Sequence, residues 1–88
     1  QFEKDKGNLQ VWPNPANDKL NLVFKGAPCG MYVVELMNSG GVAVHSRLYS
    51  DSDFYHGVKI DVSEFPSGYY LLRVIFGNKS ETRKIMIQ

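Results

Sequence analysis

The fold is decided by one stretch, Met31-Tyr32-Val33-Val34-Glu35-Leu36-Met37-Asn38-Ser39-Gly40-Gly41-Val42-Ala43-Val44-His45-Ser46-Arg47-Leu48-Tyr49. Its first seven residues are apolar on both faces apart from Glu35, which predicts a central strand covered on both sides. Asn38-Ser39-Gly40-Gly41 then supplies residues that tolerate positive φ, as a hairpin turn requires. The return run sets Val42, Val44 and Ser46 against Ala43, His45 and Arg47, one side for packing and the other for water. The two runs predict an antiparallel pair.

Working outward, the same grammar repeats. Leu9 to Trp12 predicts a short strand stopped by Pro13 and Pro15, whose rings remove ladder donors. Leu20, Leu22 and Phe24 alternate with Asn21 and Val23 as a second strand, which Lys25-Gly26-Ala27-Pro28 breaks. Downstream, the polar segment Asp51 to Gly57 reads as a loop carrying two aromatics, before Val58, Ile60 and Val62 mark a fifth strand. Ser63 to Gly68 is a compact crossing loop, Tyr69 to Phe76 a sixth strand, and Glu81 to Ile87 a seventh after the Gly77-Asn78-Lys79 turn. No segment predicts a helix. Seven short strands cannot bury both faces of one flat sheet, so the expected fold is all-β, an immunoglobulin-like two-sheet antiparallel β-sandwich, with its strand order left open. The charged segment 1–8 reads as a linker from an upstream passenger domain, and 9–88 as the folded unit.

Composition narrows the function. Eighty-eight residues make one domain, and hydrophobic residues at 43% supply its core. Ten Lys and Arg against nine Asp and Glu leave a net charge of +1, too weak a field to gather nucleic acid. No apolar run approaches the roughly 20 residues of a membrane span, so no membrane insertion is expected, and segment 1–7 lacks a signal-peptide apolar stretch. Cys29 is the one cysteine and cannot form an internal disulfide. Asp51, Asp53 and His56 form the one cluster with metal-like chemistry, yet Ca²⁺ takes about 6 to 8 oxygens, so a solvated hairpin tip is expected and no metal or other cofactor. His45 and His56 accompany no nucleophile, and no phosphate-cradling loop is present, so no enzyme activity is expected. Asn78-Lys79-Ser80 matches a glycosylation sequon but reads more simply as a tight turn.

Three segments carry a family resemblance. The first is Val11-Trp12-Pro13-Asn14-Pro15-Ala16, followed by Leu20 and Leu22. The second is the hairpin Val34 to Val44, with Asn38, Gly41 and Val44 at its key positions. The third is Ile60-Asp61-Val62-Ser63-Glu64-Phe65-Pro66-Ser67-Gly68-Tyr69-Tyr70-Leu71-Leu72-Arg73-Val74, with the basic and aliphatic ending Arg83-Lys84-Ile85-Met86-Ile87. In this order and spacing they resemble the C-terminal sorting domains of the type IX (Por) secretion system, of the cleaved cargo type. Phe65, Tyr69 and the terminal Gln88 depart from the usual pattern. The resemblance implies a parent protein that reaches the periplasm and is recognised by the outer-membrane translocon and a shuttle protein. It implies a passenger carried to the cell surface or beyond, where a sortase typically removes the domain and joins the passenger to anionic lipopolysaccharide.

The motif residues carry two readings each. Pro13, Asn14 and Pro15 could meet a receptor or build a rigid corner. Asn38, Gly41 and Gly68 suit backbone geometry. Asp61 alternates with Ile60 and Val62 on the fifth strand, and Tyr70, Leu72 and Val74 share a core face, with Arg73 opposite them, partnered or at a sheet edge. Arg83 and Lys84 could engage the translocon or protect a terminal strand from aggregation. The competing reading, a carbohydrate- or protein-binding accessory module, needs a platform of exposed rings, for which Trp12, Phe54 and Tyr55 are the candidates.

Overall fold

A computed structural model describes residues 9–25 and 29–88. The linker assigned to 1–8 and most of the break at 25–28 lie outside the described residues.

Seven strands form: β1 (Leu9–Trp12), β2 (Lys19–Phe24), β3 (Met31–Met37), β4 (Ala43–Ser50), β5 (Val58–Asp61), β6 (Gly68–Phe76) and β7 (Lys79–Ile87). They make a three-stranded sheet ordered β1-β2-β5 and a four-stranded sheet ordered β4-β3-β6-β7, with every strand pair antiparallel. This is the expected two-sheet sandwich. Period-two alternation builds its core: Leu20, Leu22 and Phe24 from β2, Tyr32, Val34 and Leu36 from β3, and Tyr70, Leu72 and Val74 from β6 all point inward and are buried. Each such aliphatic or aromatic side chain removed from water contributes about 1.5–3 kcal/mol. No polar or charged residue is buried among the described residues.

Three expectations are corrected. Asp51–His56 is not a solvated loop but a short helix, α1. Ser50 caps it: its hydroxyl accepts from the Asp53 backbone N–H at 3.2 Å, and the Asp53 carboxylate accepts from the Ser50 N–H at 2.8 Å. Phe54 projects from this single turn into the core, fully buried, with ring centroids 5.2 Å from Tyr32 and 6.0 Å from Phe24. The helix thus carries the chain from β4 at the edge of one sheet to β5 at the edge of the other.

β3 is interior in its sheet, yet only one of its faces is covered. Met31, Val33, Glu35 and Met37 lie on the outer face, exposed or half-buried.

In β4 Val44 packs against the core as expected, but from His45 onward the phase is opposite to the expected one. His45, Arg47 and Tyr49 pair with the core-facing Leu36, Val34 and Tyr32 and share their face, whereas Leu48 pairs with Val33 on the outside. A register shift at Leu36/Met37 displaces the strand by a residue, and Val42 is left outside it, 59% exposed. Because β4 is an edge strand, its inward side chains reach water past the sheet's rim, and a polar residue there costs little.

Candidate functional site

The sequence motifs converge on two places. At the first, the Trp12-Pro13-Asn14-Pro15 corner crosses from β1 in one sheet to the rim of β7 in the other; both of its X–Pro bonds are cis. Asn14 behaves as a strand residue made of side chain. Its amide nitrogen donates to the Lys84 carbonyl at 3.2 Å, and its amide oxygen accepts from the Met86 backbone N–H at 3.0 Å. Ala16 extends the arrangement with a parallel bridge to Ile87, donating to the Met86 carbonyl and accepting from the Gln88 N–H, both at 2.8 Å. The outer edge of the final residues of β7 is therefore occupied, which removes a template for strand pairing.

Arg83 reinforces the same seam. It pairs with core-facing Leu72 and so points between the sheets, where its guanidinium donates to the Leu9 carbonyl at 3.3 Å and meets Glu81 at 3.1 Å. It ties β1 to β7 across the rim. Between these strands lies an open groove lined by Gln10, Val11, Trp12, Asn14, Arg83 and Lys84.

At the second place, around β6, the motif residues shape backbone. Asn38 closes the β3–β4 hairpin: its side-chain oxygen accepts from the Gly40 and Val42 N–H groups at 2.9 and 3.0 Å. Gly41 sits there at φ +84°, a conformation costly for other residues. Asp61 accepts from the Ser63 N–H at 3.0 Å and its hydroxyl at 2.7 Å, starting the crossing loop, and these bonds hold its carboxyl below the usual carboxylate range. Tyr70 donates its phenol to the Pro66 carbonyl at 2.6 Å, fastening the far end of that loop, while Phe65 stacks on its ring. Gly68, at φ +149°, releases the chain into β6. Arg73 is not at an edge; it is partnered on the outer face of central β6 by Glu35 at 3.4 Å.

Lys84, unlike Arg83 beside it, has a side chain that fastens nothing within the core or backbone. It projects from the outer face and rests over the Tyr69 ring, 4.6 Å from its centroid.

The other candidates separate. Asp51 accepts from the Gly30 N–H at 3.1 Å, Asp53 closes the helix cap, and His56 meets the Ser52 carbonyl at 3.0 Å, so all three serve α1 and its attachment. No group of three His, Cys, Asp or Glu suited to a metal occurs among the described residues. His45 contacts the Tyr49 hydroxyl at 3.3 Å, and burial, assisted by Arg47, lowers its pKa. The ring platform of the accessory-module reading does not form: Phe54 is in the core, Trp12 lines the groove beside Lys84, and Tyr55 lines a separate hollow with Val23 and Lys25.

A small antiparallel sandwich whose distinctive residues lock its own edges and turns defines a folded module that presents a fixed surface of strands and loops. The chain belongs to the secretion system C-terminal sorting domain family, whose model matches residues 10–88. It is thus a sorting signal of type IX secretion, carried by cargo bound for the cell surface or the extracellular space. Among solved structures it is similar to the crystal structure of dimeric latent PorU from Porphyromonas gingivalis, with a TM-score of 0.64 at 20% identity. The likeness covers 90% of this chain and 9% of that one, and it shows the fold. No curated protein sequence matches the chain significantly.

Proposed function

We propose that this domain takes its passenger from the periplasm through the outer-membrane type IX translocon as a folded label, with a shuttle protein receiving it and a cell-surface sortase removing it. The passenger is then joined to lipopolysaccharide. The observation that supports the reading is the interlock of the family's first and last motifs: Asn14 and Ala16 are hydrogen-bonded to Lys84, Met86 and Gln88 across the two sheets. A receptor that reads the terminal strand therefore reads the whole sandwich, since that strand is held straight by the corner at the start of the chain. The polar side chains of Asn14, Asn38, Asp61, Tyr70 and Arg83 are spent on this scaffold, and recognition by shape asks for no reacting group.

The test is to fuse residues 9–88 to a periplasmic reporter and follow it in a type IX-competent cell and in one whose translocon gene is disrupted. Surface reporter in the first and periplasmic reporter in the second is the expected result. Retention in both, with the domain folded, sinks the reading.

A further inference from the structure

On the outer face of the four-stranded sheet, strand pairing sets Met37, Leu71 and Lys84 in one row across β3, β6 and β7, with Tyr69 beside Met86 in the next. The β3–β4 hairpin rises at one side, and a hollow of about 220 Å³ opens between Asn38 and Gly41 of that turn and Tyr69, Leu71 and Lys84. Tyr69 is 54% exposed and Leu71 44%. Lys84 makes no ion pair among the described residues, and Glu35, the carboxylate on the neighbouring row, is engaged by Arg73. The patch therefore combines an uncovered apolar floor, an exposed tyrosine of the kind that anchors interfaces, and a cation held in place by a ring without a counter-charge.

We infer that this patch is where the sorting receptor touches the domain, and that its occupant is an acidic protein segment placing a carboxylate on Lys84 and an adjacent apolar side chain in the hollow over Leu71. The inference rests on the sorting reading and names its contact surface. Elimination and complementarity carry it together. Asn14, Asn38, Asp61, Tyr70 and Arg83 are consumed by internal hydrogen bonds, and of the exposed motif side chains that remain, Tyr69, Leu71 and Lys84 are gathered here, whereas Trp12 and Val42 stand apart. A single unpaired cation at the rim of an apolar hollow selects an anion with a hydrophobic neighbour, which sets register as well as attraction.

The experiment uses the whole chain fused to a reporter, with surface export measured for Lys84→Glu, Lys84→Arg and Leu71→Asp. Lys59→Glu, on β5 of the opposite sheet, makes the same charge change elsewhere. Thermal melting of each purified domain establishes folding, and Lys84→Glu carries the test if Leu71→Asp unfolds. Export at least tenfold below wild type for Lys84→Glu and Leu71→Asp, with Lys84→Arg and Lys59→Glu exported normally, is expected. Normal export of Lys84→Glu, or an equal fall with Lys59→Glu, overturns the assignment. So does Lys84-dependent binding of the purified domain to vesicles rich in anionic lipid, which would make the occupant a membrane surface. Retention of the wild-type fusion itself would instead overturn the sorting reading, and the contact surface with it.

Discussion

Asn14 spends a side chain where a strand would spend backbone, and the cost of losing it is calculable. Asn14→Ala removes two hydrogen bonds to β7 and should lower unfolding free energy by about 1–2 kcal/mol, read by urea denaturation, with the final residues of β7 losing amide protection first. Asp61 gives a pH signature. Its carboxyl is held below its ordinary range chiefly by the Ser63 N–H and hydroxyl, so the contribution is present above the unfolded value and lost as pH falls through the folded one. The stability gap between wild type and Asp61→Asn should therefore be constant near neutrality and close below about pH 4, with the Asp61 resonance titrating late in an NMR pH series. At this scale legibility was uneven. The need for Gly at 41 and 68 follows from local turn chemistry, whereas the bond from Asn14 to Met86 joins residues whose proximity depends on sheet order, which no local pattern encodes.

Among elements, α1 is the one the sequence hid. Six residues cannot display a helical period, and the capping pair Ser50 and Asp53 uses Asp where Glu or Gln is the usual signal. What fixes the helix is tertiary: Phe54 fills the core among Phe24, Tyr32 and Tyr49. Phe54→Ala should cost about 3–5 kcal/mol in chemical denaturation, a large share of the roughly 5–15 kcal/mol by which small domains are stable, while Ser50→Ala should cost about 1 kcal/mol. If Ser50→Ala proved the more damaging, helix formation rather than core filling would govern this connection. The reversed phase of β4 has a similar origin. Its alternation is real, but one register shift at Leu36/Met37 exchanges the faces, and edge position blurs the contrast between polar and apolar sides.

For the whole molecule, seven strands and a two-sheet sandwich were readable because period-two runs and turn residues recur at short, regular spacing. The division into three and four strands was not, since antiparallel order is set by which faces and edges fit after collapse. The same assembly makes the motifs interdependent, so that strand, corner and crossing loop stand or fall as one cooperative unit. The central claim is that this folded sandwich is itself the label. It is tested most directly by measuring the surface fraction of a reporter carrying the intact domain against one carrying Phe54→Ala, with folding of each tag checked by resistance to proteolysis at the assay temperature. The account predicts surface reporter for the intact tag and retention for the unfolded one at equal abundance; equal export of both would contradict it.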